Sequence, residues 1–194
     1  FAMIARSGPT LLAMIIVIVA ITLCVGYAIG RMLGLPPRLA TLIACGNAVC
    51  GNSAIAALAP AIRASAQEVA SAISFTAILG VVVVLALPVL MPALAMSAQQ
   101  YGVLAGLTVY AVPQVRAAAA AGGAAAAQIG TLVKLIRVLT LGPIVLGAAL
   151  IFRAPGEAQG PRPGVSRMLP WFIPGFLALA ALRSAGLIPQ QFVA

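Results

Sequence analysis

An all-α membrane protein, a multi-helix transmembrane bundle with interrupted helices, is the fold class this sequence predicts, and three observations predict it. Of 194 residues, 63% are hydrophobic and only 7% are charged, with a mean hydropathy of +1.18, whereas about a quarter of the residues of a soluble domain are charged. Several apolar runs reach the roughly 20 residues that a helix needs to cross the hydrocarbon, while barrel strands would be about 10 residues of alternating polarity. The third observation is a doubled Cys-Gly-Asn, Cys45-Gly46-Asn47 and Cys50-Gly51-Asn52, followed by Ser53 and set in the middle of one such run. Backbone polar groups rarely stay unpaired inside a membrane, so glycines and asparagines there predict a broken helix lining a site.

The first span is predicted over about 9–30 and ends at Arg31, the Gly34-Leu35-Pro36-Pro37 turn and Arg38. The second, 39–62, is of spanning length but interrupted by the doubled motif, and reads as two half-helices. Ser65 and Glu68 have the spacing of a capping box and start a third span over 69–96. Pro88 and Pro92, in its second half, should kink that span or split off an interfacial piece. A fourth, 101–127, is interrupted at Tyr110-Ala111-Val112-Pro113-Gln114 and continues into the alanine-rich 117–127, which reads as a tightly packed small-residue helix. The fifth covers 129–152, a Pro-, Gly- and Arg-rich loop follows over 153–167, and a sixth covers 169–187 behind Leu169-Pro170-Trp171-Phe172. Together, 1–194 reads as one transmembrane domain, and as an internal fragment, since Phe1 follows no methionine and Phe192-Val193-Ala194 ends the chain mid-segment.

Eleven Lys or Arg against two Glu, with neither Asp nor His, give a net charge of +9. Cytoplasmic loops of membrane proteins are enriched in Lys and Arg, which accounts for most of this excess. The charges are dispersed, which argues against nucleic-acid binding. If both interrupted segments cross fully, Arg31, Arg38, Arg153, Arg162 and Arg167 fall on one face, and Arg6 and Arg63 on the other. Cys24, Cys45 and Cys50 are odd in number and lie in apolar segments, so no disulfide framework is expected. Their spacing, without His or Asp, also predicts no metal site, and nothing implies a cofactor.

Gly51 lets the backbone leave helix geometry, and Asn52 or Ser53 can cap the half-helix that begins at Ala54. Its N-terminus would offer free N–H groups and a positive dipole end to an anion, with Asn47 and Asn52 as polar ligands. The alternative is that small residues let helices pack closely and the asparagines bond across the interface. Lys134 and Arg137, three residues apart, share a helix face. At a helix centre each would cost about 2.5–3.5 kcal/mol on insertion scales, so they need a polar cavity or a partner, unless they snorkel to the headgroups. At the second interruption Gln114 is the polar candidate, though a simple kink at Pro113 also explains that break. No nucleophile with its base is present, so no enzyme is expected. Glu68 and Glu157 fall in predicted loops, which leaves Lys134 as the intramembrane group able to carry a coupling proton.

Cys50-Gly51-Asn52-Ser53-Ala54-Ile55-Ala56-Ala57-Leu58-Ala59-Pro60, then Glu68-Val69-Ala70, resembles the YeiH-type sulfate exporter family. So do Thr131-Leu132-Val133-Lys134-Leu135-Ile136-Arg137-Val138-Leu139, with Gly142-Pro143, and the Leu169-Pro170-Trp171-Phe172 start of the last span. The resemblance implies a multi-pass protein of the bacterial inner membrane, related to sodium/proton antiporters and bile-acid symporters, with an inverted-repeat transporter fold and broken helices. It also implies export of a small anion such as sulfate or a sulfonate. Where the family has His-Glu-Val-Ala-Gln-Val, this chain has Tyr110-Ala111-Val112-Pro113-Gln114-Val115, so the titratable pair is missing and the coupling ion is open.

The function expected from the sequence is secondary transport of a small anion across a lipid bilayer, with Asn47, Gly51, Asn52, Ser53, Gln114, Lys134 and Arg137 at the site. A non-transporting, degenerate homologue and a thiol-redox membrane protein using Cys45 and Cys50 are the alternatives.

Overall fold

The computed structural model describes residues 2–152, with side chains from residue 12 onward, and every regular element among them is helical. In chain order these are α1 (Ala2–Met32), α2 (Pro37–Ala48), α3 (Asn52–Ala61), α4 (Ala66–Ala93), α5 (Ala98–Thr108), α6 (Val112–Ala119), α7 (Gly123–Leu139) and α8 (Leu141–Ile151). A 3-10 turn, Ala120–Gly122, joins α6 to α7. Three helical stretches are long and apolar enough to cross a membrane: Leu12–Met32, Ala66–Ala93 and Val112–Ile151. The last is not one rod, because the chain turns at Gly123, whose φ of +84° suits glycine and few other residues. The loop predicted over 153–167 and the span predicted over 169–187 lie outside the described residues.

Helices α2, α3, α5 and α6 have 12, 10, 11 and 8 residues. At about 1.5 Å per residue they measure roughly 12–18 Å, near half of the ~30 Å hydrocarbon core. Each pair forms a hairpin that enters the bundle and returns to the end it came from.

The first hairpin hangs on α1. Gly30 packs on Ala40 and Gly26 on Ala44, so closely that a Cβ at Gly30 would lie 3.0 Å from the Ala40 Cβ. Small residues one turn apart let two helix backbones approach in this way, and here they hold α2 antiparallel to α1. At Gly51 the chain takes φ +66°, and α3 turns back past α2, with Ile55 against Gly46. Asn52 at the start of α3 pairs with Thr76, ten residues into α4. Helix α4 is thus antiparallel to α3. Its first turn is held by the expected capping box, Ser65 N–H to Glu68 Oε2 at 2.7 Å and Glu68 N–H to Ser65 Oγ at 3.3 Å. Glu68 also lies within electrostatic range of Arg38, in the first turn of α2. The start of α2 and the end of α3 therefore share one end of the bundle.

Helix α4 crosses to the opposite end, and there the second hairpin begins. The Tyr101 hydroxyl near the start of α5 donates to Ala118 O near the end of α6 at 2.8 Å, which is possible only if α6 has folded back along α5. Its tip is the extended Val109-Tyr110-Ala111, with ψ of 146° at Val109 and 144° at Ala111. Pro113 sits in the first turn of α6, where its missing N–H is not needed. Helix α7 then runs parallel to α5 and nearly touches it. A Cβ at Gly102 would stand 2.6 Å from Ala126 O, and one at Gly106 2.6 Å from Gly130 O. The alanine- and glycine-rich stretch is thus packed tightly, but as the end of α6, a turn and the start of α7.

The structure corrects several expectations. Both interrupted segments fold back as hairpins instead of running from one end of the bundle to the other, so the charge assignment that relied on full crossing changes: Arg63, after α3, lies at the same end as Arg31 and Arg38. Pro88 and Pro92 do not split α4, which continues through both to Ala93. The fifth helix begins at Gly123 and not near residue 129, and it breaks at Thr140.

The re-entrant topology predicts the labelling of single cysteines in the full-length protein. Arg38→Cys and Arg63→Cys should react with a membrane-impermeant maleimide from one side, and Gln99→Cys, in the first turn of α5, from the other. Labelling of positions 38 and 63 from opposite sides would exclude the first hairpin.

Candidate functional site

The tips of the two hairpins meet near the middle of the bundle. Tyr110, at the second tip, lies against Gly51 at the first and Gly80 on α4, where added Cβ atoms would come within 3.0 Å and 2.9 Å of its side chain. Its hydroxyl donates to Asn47 Oδ1 at 3.0 Å. Glycine at both positions makes room for the ring, and the ring joins one tip to the other.

Breaking a helix at this depth frees carbonyls that must find new donors, because the last four C=O groups of a helix have no partner within it. At the end of α2, Cys45 O accepts from Val49 N–H at 3.0 Å and Gly46 O from Gly51 N–H at 2.8 Å. The next three carbonyls are taken by side chains of α7. Arg137 donates from Nη2 to Asn47 O and from Nε to Ala48 O, and Lys134 donates from Nζ to Val49 O. Arg137 Nη1 also donates to Leu107 O, near the end of α5. One guanidinium therefore binds both hairpins.

Lys134 and Arg137 are 0% and 3% exposed, which rules out snorkelling to a headgroup. Lys134 lies eleven residues into α7, about 16 Å from its start at the usual rise. Two features suit them to this position. The C-terminal ends of α2 and α5 carry the negative ends of their dipoles, and the guanidinium fork has five donors to distribute. The one acid among the described residues, Glu68, is exposed at an end of the bundle, so none of the described carboxylates faces the cations at the tips.

The remaining residues predicted from the sequence are grouped around the same point. Asn47 is half-buried and takes part twice, through its backbone and its side chain. Gly51 is the N-cap of α3, and neither Asn52 nor Ser53 makes the capping bond expected of them. Ala54 and Ile55 N–H instead turn back to Gly51 O at 3.0 Å and 3.2 Å. Asn52 and Ser53 have exposed side chains in the first turn of α3, and Asn52 Oδ1 accepts from the buried Thr76 hydroxyl at 2.9 Å. Gln114 Oε1 accepts from Ala111 N–H at 3.3 Å and closes the first turn of α6. The N-terminal ends of α3 and α6 thus both start at the tips.

Thr76 and Tyr110 are additions to the predicted set. Tyr110 had a signal, a polar residue at an interruption; Thr76 had only a hydroxyl in an apolar helix, which is common. Cys45 is buried, Cys50 half-buried at the first tip, and both are free thiols. Among the described residues no three His, Cys, Asp or Glu come together as metal ligands.

Comparison with known proteins places the chain in a family. The profile described as Conserved hypothetical protein 698 matches residues 1–194. The chain belongs to that family. It is 59% identical over all its 194 residues to a UPF0324 membrane protein of Bradyrhizobium diazoefficiens, and 54% identical over 190 residues, 98% of the chain, to one of Brucella suis. A UPF0324 membrane protein of Bacillus cereus is 38% identical over 187 residues, 96% of the chain. The chain covers 55%, 56% and 55% of these three relatives, so it spans about half the length of the family members it matches. No solved structure matches it.

Replacing Arg137 by Gln would strand at least two of three buried carbonyls, at about 1–3 kcal/mol each. Thermal unfolding of the full-length protein in detergent should show that loss, against about 1 kcal/mol for Tyr110→Phe, which gives up one hydrogen bond. Equal melting temperatures for the two variants would mean that Arg137 does not hold the hairpins.

Proposed function

We propose that this chain forms the site-bearing part of a secondary transporter, a carrier and not an enzyme, which moves a small anion of the sulfate or sulfonate class across the bacterial inner membrane. The observation that carries the reading is the meeting, at mid-depth, of two half-helix hairpins inserted from opposite ends, with two buried cations and, among the described residues, no acid at their junction. Broken helices at mid-depth are the usual way in which transporters expose backbone groups to a substrate. The sign of the site favours an anion: the N-terminal ends of α3 and α6 add positive dipole ends to the charges of Lys134 and Arg137.

Within this reading the residues divide into two groups. Lys134 and Arg137 give their direct bonds to carbonyls and act on the anion through their field. Asn52 and Ser53, exposed at the first turn of α3, are the contacts, and Thr76 orients Asn52 by holding its carbonyl oxygen. The sulfate-exporter resemblance supports the substrate class. Tyr110, which stands where that family has histidine, is engaged here with Asn47, so proton coupling is not assigned to it.

Uptake of radiolabelled sulfate or a small sulfonate by proteoliposomes of the full-length protein tests the reading. Asn52→Leu should lower uptake at least about tenfold, the equivalent of 1.4 kcal/mol. Undiminished uptake by that variant would remove Asn52 from the site, and no flux of any such anion by the wild type would remove the function.

A further inference from the structure

Four carbonyls from two separate hairpins turn to one pair of buried cations: Asn47 O, Ala48 O and Leu107 O to the Arg137 guanidinium, and Val49 O to the Lys134 ammonium. Unwound backbone carbonyls and the C-terminal ends of half-helices are also the ligands with which membrane carriers hold a free alkali cation. Hard monovalent or divalent cations prefer such oxygen donors, and the negative dipole ends of α2 and α5 add to the attraction. In this protein the position is filled by positive charge that belongs to the chain. We propose that the Lys134 ammonium, seconded by the Arg137 guanidinium, is a tethered substitute for a free cation between the hairpin tips, so that the site assembles without sodium or any other small cation.

Three features of the geometry support this. The ammonium is a compact charge with three donors, of the same kind as a free alkylammonium ion, and it is wholly buried against the Val49 carbonyl. The two cations reach the tips from a single helix, α7, which the glycine contacts of Gly102, Gly106 and Gly130 hold against α5. Their position is thus set by backbone packing and does not depend on ion concentration. Lastly, among the described residues no carboxylate lies at the junction, since Glu68 is at the bundle's end, so none of them offers a free sodium ion the acid that commonly balances it.

The inference concerns the carbonyl cluster and stands whether or not the anion assigned above is carried; only its corollary, that transport is independent of sodium, rests on that reading. Its test is therefore a stability measurement and not a flux. The full-length protein in detergent is melted in choline chloride, and then in sodium, lithium and methylammonium chloride at equal ionic strength. Wild type should melt at the same temperature in all four. Lys134→Ala, which empties the position, should melt several degrees lower in choline and recover in methylammonium or sodium, by an amount that grows with the logarithm of the cation concentration. Lys134→Met, which fills the space without charge, should fall similarly and recover in none. Specific stabilisation of the wild type by sodium would overturn the proposal. So would a Lys134→Met protein as stable as wild type, or a Lys134→Ala protein, folded or not, that no small cation restores. Failure of sulfate flux with this rescue intact would count only against the anion reading.

Discussion

A carbonyl oxygen at mid-membrane has to find a donor, and most of this structure can be read as the solution to that constraint. Two helices stop half-way across the bundle, at Ala48 and Thr108, and each leaves carbonyls pointing toward the other. The turn itself serves Cys45 and Gly46, through Val49 and Gly51 N–H, but not the carbonyls beyond them. The donors come from a third element, as the guanidinium and ammonium of Arg137 and Lys134. In an apolar medium this exchange is favourable on both sides, since the buried charges need the dipoles as much as the dipoles need the charges.

The packing around the site follows from where α7 must be. Arg137 reaches Leu107 and Ala48 together only if α7 lies close beside α5 and beneath the first tip. Glycines at 102, 106 and 130 permit that approach, with carbonyl oxygens where side chains would otherwise stand. The tips themselves are joined by Tyr110, which occupies space left by Gly51 and Gly80 and ends on Asn47. A substitution at any of these positions would act on the site by moving the donors away from the acceptors.

The two hairpins have an inverted relation. Helix α1 followed by α2 and α3 has the same order of parts as α4 followed by α5 and α6, and the two units enter from opposite ends. Both ends of the bundle thus have a similar relation to one junction. For the proposed carrier, that arrangement lets one site be approached from either face with little change in its backbone. The polarity within the junction is also sorted: carbonyl ends face the cations, while the N-terminal ends of α3 and α6 remain for something negative.

By itself, the sequence determined the solvent in which the chain folds, the helical class and the two places where helices break, because apolar run length, Gly51 and Pro113 act locally. It also marked Lys134 and Arg137 as residues needing partners, since burial of a charge is costly wherever the helix goes. Direction was not written there. Crossing and re-entrant half-helices have the same length and composition, and tertiary placement decides between them: the hydrogen bond of Tyr101 to Ala118 and the electrostatic proximity of Arg38 to Glu68. The partners of the cations were hidden for the same reason: backbone carbonyls are identical at every residue, so which ones meet Arg137 depends on the tertiary placement of two hairpins far apart in the chain.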